Sequence, residues 1–569
     1  MEENILERQF REDAKSLIRF IDNSPSCYHV IDNIKKELRG YKELKENEDW
    51  ELEPGKGYYV IRNSSSIIAF RIPGTMKSVE NCGFLIAAAH SDSPAFKVKQ
   101  NGEITVDKYY KKLNVEKYGG MIIAPWLDRP LSVAGRIFVD EDGRLTERLV
   151  NIDRDLLIIP NVAIHMNRDI NENCKYSMRT DMQPLLGLTK SCGIGHDTLR
   201  ETFKDEKNYK NIITDDNKGG DEDNKKVTIY KYTNTDRCTT TYTDTNRKSG
   251  LSRDDKDTLT GMVAESIGVD ADSILSMDLF LYPRVSGTFL GAENELIAAR
   301  ALDDLQCAYS IVQGFVRSGK YASPMSADDS ANGNSLSEEN TDCKENESVL
   351  RNSAVADTTD YKLNTESITE GITGALNSGC MIPVCCVFDN EEVGSGTRQG
   401  ADSDFLHDVL YRMTEAFINI NEGNVRGTDA NCELLKMLAN SFMISADNAH
   451  AVHPNHPEYA DESDRPYLNG GVVVKFNAAQ KYTTDAYSYA ILKKIARRAN
   501  VPLQTYSNRP DIAGGSTLGN ISVRHVSVPC VDIGLPQLAM HSCYETAGAY
   551  DTRYMIELLE EYYRCGSSC

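Results

Sequence analysis

The stretch IPVCCVFDNEEVGSGTRQGA, residues 382–401, sets a short apolar run directly against two adjacent carboxylates and a glycine-rich turn. Such a run, bounded by turn residues, reads as a buried strand. Glu391 and Glu392 stand where that strand runs out. Like charges crowded at low dielectric repel, and one of them takes up a proton unless a cation lies beside them. The stretch therefore asks for a cation and for its other ligands.

Outward from it, strands and helices alternate. AYSIVQGFVRSG (308–319) precedes it as a helix. A helix DFLHDVLYRMTEAFINI (404–420), the strands SFMISAD (441–447) and VVVKFN (472–477), and a helix DAYSYAILKKIARRAN (485–500) follow. This rhythm predicts an α/β fold, a mixed, mostly parallel sheet flanked by helices. The first hundred residues join it, with a helix over ILERQFREDAKSLIRFIDN (5–23) and strands at SSIIAFRIP (65–73) and CGFLIAAAH (82–90). Between them short β-like runs dominate: GEITVDKYY, GGMIIAP, LSVAGRIFVD and RLVNIDRDLLIIP. The expected organisation is an α/β domain over 1–96 and 290–569, interrupted by a β-rich domain over 97–289. Polar stretches at 203–257 and 322–368 lack the apolar periodicity of a core and read as surface insertions.

At 569 residues, more than one domain is expected. The balance of 63 basic against 85 acidic residues, −22 overall, argues against nucleic acid or an anionic membrane as partner. No run is long and apolar enough for a membrane span, and the charged start shows no signal-peptide pattern. Fifteen scattered cysteines then read as reduced thiols of a cytoplasmic protein.

Candidate ligands recur at strand ends. LIAAAHSDSPAF delivers His90, and Asp92, two residues on, shares its strand face and is suited to orient the imidazole. Asp303 and Asp304 precede a helix, where an N-cap role is the plain alternative. Asp447 ends SFMISAD, and His450, His453 and His456 follow; His541 follows the apolar run of PQLAM. His90, Asp303, Glu392, Asp447 and His541 all lie near strand ends or helix starts, where open α/β sheets place ligands. Two imidazoles and three carboxylates exceed one tetrahedral zinc but suit two cations about 3.5–4 Å apart that share a carboxylate. One glutamate of the opening pair would coordinate and the other stay free as a base.

Six blocks in one order, FIDNSPSCYHVI (20–31), AAAHSDSPAFKVK (87–99), IPNVAIHMNR (159–168), FDNEEVGS (388–395), SADNAHAVHPNHPE (445–458) and PQLAMHSCYE (536–545), resemble the aspartyl aminopeptidase family of dinuclear zinc metallopeptidases. The resemblance implies one metal on His90, Asp303 and Asp447, and a second on Asp303, Glu392 and His541, with Asp303 bridging. Glu391 would be the general base and Asp92 the orienter of His90. His165 would reach an active site from a neighbouring subunit to bind substrate or stabilise the reacting carbonyl, and Lys475 would recognise an acidic N-terminal side chain. The β-rich domain would mediate dimerisation, with dimers assembled into a tetrahedral dodecamer. Departures are Asp304 where the family has Asn, the segment YPRVSGTF (282–289), Tyr544 for Arg and Asn520 for Pro. The extra carboxylate of Asp304 would compete as a ligand or alter the base.

The expected activity is removal of the N-terminal residue from peptides, with a preference for Asp or Glu, through a water between two divalent metals and Glu391 as base. Zinc is the expected metal, with cobalt or manganese as alternatives. Competing readings are a related hydrolase for neutral N-terminal residues or N-acyl amino acids, and a non-catalytic shell or carrier protein. Five ligands and a base argue against the last, since a scaffold needs none of them.

Overall fold

The computed structural model describes residues 5–189, 258–320, 380–421, 429–512 and 514–565. The polar stretches 203–257 and 322–368 lie outside the described residues. By packing, the chain divides into one unit of Met1–Phe96, Lys117–Trp126 and Tyr282–Cys569, and another of Lys97–Glu116 and Leu127–Leu281. Lys117–Trp126 thus groups with the first unit, although sequence alone places it inside the β-rich segment.

The first unit is built on a nine-stranded sheet of β1 (Lys42–Leu44), β2 (Gly57–Arg62), β3 (Ser66–Arg71), β4 (Gly83–His90), β5 (Met381–Phe388), β6 (Phe442–Ala446), β7 (Val472–Phe476), β8 (Leu503–Ser507) and β9 (Cys530–Gly534). Their order is β1-β2-β3-β5-β4-β6-β9-β7-β8. The sheet is mixed and mostly parallel: β5, β4, β6 and β9 run parallel to one another, while β3 and β7 pair antiparallel to β5 and β9. The central strands β4, β5 and β6 are buried along their whole length. Alternate side chains serve opposite faces, so a strand covered on both sides reads as one apolar run.

Leu85, Ala87, Ala89, Cys385 and Val387 pack with helices α1 (Ile5–Asp22), α2 (Cys27–Glu37), α3 (Leu302–Lys320), α6 (Ala486–Ala499) and α8 (Asp551–Cys565). Phe84, Ile86, Ala88, Ile382 and Val384 pack on the other face, with α4 (Phe405–Asn421), α5 (Ala430–Ala439) and α7 (Leu518–Ser522). The amphipathic α1 contributes Ala14, Leu17, Ile18 and Ile21 at helical spacing, and the Ser24-Pro25 break follows it. No described helix is long and apolar enough to cross a membrane, and the described cysteines are free thiols.

Register decides where the site lies. Phe388 pairs with His90, and Ser445 with Ala88, so β5, β4 and β6 end level with one another. Their carboxyl ends carry Asp389–Glu392, His90 and Asp447. A small five-stranded sheet adds two further residues: Asp303 follows its strand Leu296–Ala299, and His541 lies between Pro536–Leu538 and Glu545–Gly548.

The second unit carries a six-stranded sheet of largely antiparallel ribbons, Leu131–Glu141 with Arg144–Asn151 foremost, and a helix Leu259–Ile267. The segment GGMIIAP (119–125), expected as a strand, forms none. Its apolar residues stay partly or largely exposed, and its backbone bonds go to the loop at His541: the Ile122 amide donates to the His541 carbonyl at 2.9 Å.

Candidate metal centre

His90 ends β4 and is 1% exposed. Its Nδ1 lies 3.0 Å from the main-chain carbonyl of Asp92, which can only accept, so Nδ1 carries the hydrogen. Nε2 then faces Asp303 Oδ1 at 3.8 Å. At His541 the logic repeats. Nδ1 donates to the Gly120 carbonyl, and Nε2 lies 3.2 Å from Asp303 Oδ2 and 3.6 Å from Glu392 Oε2. Two imidazole nitrogens, each opposite a hydrogen fixed on the far side of its ring, thus point at buried carboxylate oxygens of Asp303 and Glu392. Asp303 Oδ1 and Glu392 Oε1 are buried with no hydrogen-bond partner.

Buried polar atoms are normally paired, and buried charges are paired or coordinate a metal. The donor set therefore fits cations. Ligand atoms of His90, Asp303, Asp304 and Asp447 all lie within 4.8 Å of one another, as do those of Asp303, Glu392 and His541. Asp303 is common to both groups.

Burial and crowding shift the acidity of the site's carboxyl groups. Burial, reinforced by Asp447, Asp92 and Asp303 against the opposing pull of His90, pushes Glu391 up to about 8. Burial and Asp303 drive Glu392 well above the carboxylate range, and burial does the same to Asp304. For Asp303 burial is outweighed by the imidazoles of His541 and His90 beside it, and its carboxyl is held below the ordinary value.

Asp92 does more than face His90. Its Oδ1 and Oδ2 accept the amides of Glu391 and Glu392, each at 3.1 Å, and Oδ2 also accepts the Tyr118 hydroxyl at 2.7 Å. The shorter contact to His90 Nδ1 comes from the Asp92 carbonyl, with carboxylate Oδ1 at 3.4 Å. Asp304, adjacent to the shared aspartate, accepts the amides of His90 and Asn448, both at 3.2 Å. Asp303 and Asp304 have non-helical backbone angles, so regular helix in α3 starts after them, and the amides that Asp304 accepts belong to His90 and Asn448, not to the first turn of α3. Lys475 is buried, its Nζ 3.6 Å from Asp447 Oδ1 and 5.6 Å from the Tyr482 ring centre. His165 lies in a turn of the second unit, exposed, and belongs to neither ligand group.

Sequence reading missed Glu545, whose two oxygens accept the amides of His541 (2.7 Å) and Asp303 (3.0 Å). It fixes the backbone of both. Its signal was faint: a glutamate four residues beyond His541. Tyr118, Gly120 and Asn448 were missed as well. A cavity of about 470 Å³ in the same unit is lined by His450, Tyr459, Tyr506, Asn508, Gln537 and Leu538, among others, and reaches Ala539, two residues before His541.

Comparison with known proteins matches residues 20–332 and 354–563 to the model of the aminopeptidase I zinc metalloprotease (M18) family. A probable M18 family aminopeptidase 2 of Clostridium acetobutylicum is 35% identical over 97% of this chain and 98% of its own length. Aspartyl aminopeptidase 4 of Saccharomyces cerevisiae is 31% identical over 96% of this chain and 94% of its own. Among solved structures, a chain of the Ape4–Nbr1 complex superposes with a TM-score of 0.72 at 29% identity, covering 98% of this chain and 86% of that one. The mApe1 dodecamer of S. cerevisiae shares the fold at a TM-score of 0.66 and 21% identity, covering 98% of each chain.

Proposed function

The chain belongs to the M18 family of zinc metalloproteases and is a metal-dependent aminopeptidase, and on that premise we propose how its own residues carry the reaction. His90, Asp303 and Asp447 would hold one ion, and Asp303, Glu392 and His541 a second. Bound there, divalent cations lower the pKa of water and polarise a peptide carbonyl. Glu391 takes the proton of the attacking water as the new C–O bond forms, and returns it to the leaving amine as the C–N bond breaks. The observation that carries this assignment is the arrangement of the pair. Glu392 has an oxygen 3.6 Å from His541 within a ligand group, while Glu391 belongs to neither group and is held by its amide on Asp92. Asp304, whose two oxygens accept the His90 and Asn448 amides, holds the ends of the strands that carry His90 and Asp447.

Lys475 is the reading's acidic-side-chain receptor, a cation beside the ligand Asp447. A second reading, preference for a neutral N-terminal residue, is favoured by the cavity, whose lining contains no lysine or arginine among the described residues. The second unit is the dimerisation domain, His165 serves a neighbouring subunit's site, and the assembly is a dodecamer that hydrolyses peptides in the cytoplasm. The free thiols support that location, and the shared fold of the mApe1 dodecamer supports that assembly.

The test is hydrolysis of Asp-, Glu-, Leu-, Met- and Lys-p-nitroanilide with and without chelator and restored zinc. Chelator-sensitive cleavage led by Asp or Glu is expected. Cleavage led by Leu or Met would keep the mechanism and remove Lys475 from recognition. Cleavage of none, with N-acyl amino acids hydrolysed instead, would overturn the aminopeptidase reading.

A further inference from the structure

Tyr118, Gly119 and Gly120 each meet a different part of the site. The Tyr118 hydroxyl donates to Asp92 Oδ2 at 2.7 Å and itself accepts the Asn390 side-chain amide at 2.9 Å. Gly119, at φ +78°, leaves so little room that a Cβ there would stand 3.1 Å from Cβ of Glu392. Gly120 accepts the His541 Nδ1 hydrogen, and the chain is tied back by the Ile122 amide on the His541 carbonyl and by Cys543 Sγ on the Pro125 carbonyl at 3.2 Å. The sequence gives this segment no chemistry of its own, yet it touches the support of His90, the ligand Glu392 and the ligand His541 within three residues.

We propose that Tyr118–Gly120 is a positioning strap for the metal centre, and that Tyr118 is a positioning residue for the reaction. This rests on the ligand roles proposed above. The Asp92 carboxylate accepts from the Glu391 amide at Oδ1 and from the Glu392 amide and the Tyr118 hydroxyl at Oδ2. Without the hydroxyl, Asp92 Oδ2 keeps only the Glu392 amide, and the carboxylate is held by two donors in place of three. The turn Glu391–Val393 that hangs on it then loses its registration against His90. The cost falls on the geometry of base and ligands together, not on the binding of the peptide.

The experiment compares holoenzyme with its Tyr118→Phe variant, which keeps the ring and removes one hydroxyl. Three quantities are read: kcat and KM on the preferred p-nitroanilide, zinc affinity by competition with a chromogenic chelator, and Tm. The expected result is a kcat lower by about 10–100-fold and a zinc affinity lower by about tenfold, the usual effect of losing a partner behind a metal ligand, with KM little changed. Tm of the zinc-loaded protein stays close to the parent's. Parental kcat and zinc affinity overturn the proposal. So does a loss that tracks a collapse in Tm, which would make Tyr118 a packing residue only. Gly119→Ala is the second variant, and it must lower zinc affinity by displacing Glu392; an unchanged affinity also counts against the strap. If the parent cleaves none of the p-nitroanilides, the aminopeptidase reading fails on its own, and the zinc competition still decides the strap.

Discussion

Glu391 pushed up to about 8 fixes the sign of the site's response to pH. A group whose pKa is higher folded than unfolded stabilises the fold fully below its unfolded pKa and loses that contribution as pH rises through the folded one. For Glu391 that window runs from the ordinary value of 4.5 to about 8. Glu545, raised to about 8 by burial and Asp303, acts in the same direction. His541, raised against the effect of burial by the Asp303 carboxylate beside it, does so as well. Asp303 has the opposite sign, but its gain is complete above its ordinary 3.8 and adds no slope at higher pH. Protein stripped of metal is therefore expected to unfold at lower urea concentration at pH 8 than at pH 5.5. Zinc, which displaces protons from these groups, should raise the midpoint more at pH 8 than at pH 5.5. Urea titrations at the two pH values check this, and a stripped-protein midpoint that rises with pH would contradict it. The placement of His90, Asp447 and the Glu391–Glu392 pair at or just beyond strand ends was legible in sequence, because each belongs to or follows an apolar run. Glu545 and Tyr118 were not, because their partners, Asp303 and Asp92, are brought to them only by the fold.

At the scale of elements, the apolar runs of β4, β5 and β6 were legible since burial on both faces removes any polar alternation. GGMIIAP misled for the converse reason: three apolar residues in a row suggest a strand, but here they flank a backbone that bonds to the His541 loop and joins no sheet. Helix packing was not legible. On α3, Gly314 lies against α8 so closely that a Cβ would fall 2.6 Å from Leu559 Cβ and 3.1 Å from the Glu560 amide nitrogen. Gly314→Ala gains about 1 kcal/mol of helix propensity, but neither of the atoms it meets can rotate away, and overpacking of this kind costs about 1–3 kcal/mol. The variant is expected to be the less stable by calorimetry, by a few degrees in Tm, with kcat per folded enzyme near the parent's. A rise in Tm would show that the two helices part without cost.

For the whole molecule, the interruption of one unit by another was legible as a change from alternating helices and strands to short β-runs. The grouping of Lys117–Trp126 was not, because it depends on contacts across hundreds of residues. Assembly is a property that one chain shows only as surface. In the second unit Val162, Ile164 and Met166 are 51%, 47% and 78% exposed around His165, an apolar display that a lone chain would pay for in solubility. If His165 works in the neighbouring subunit's site, two inactive variants must repair each other. His165→Ala keeps a complete set of ligands and base but has no histidine to lend, and Glu391→Gln lends its histidine but has no base. Each alone should lose at least about 10²-fold in kcat, the scale for removing a charge-stabilising donor or a proton carrier. Co-expressed in equal amounts, random pairing makes half of the dimers mixed, and each mixed dimer holds one site with both groups. About a quarter of parental activity should return, as a two-fold interface that exchanges equivalent residues requires. If His165 serves its own subunit, the mixed dimer holds one site without a histidine and one without a base. The co-expressed protein is then no more active than the two variants assayed separately.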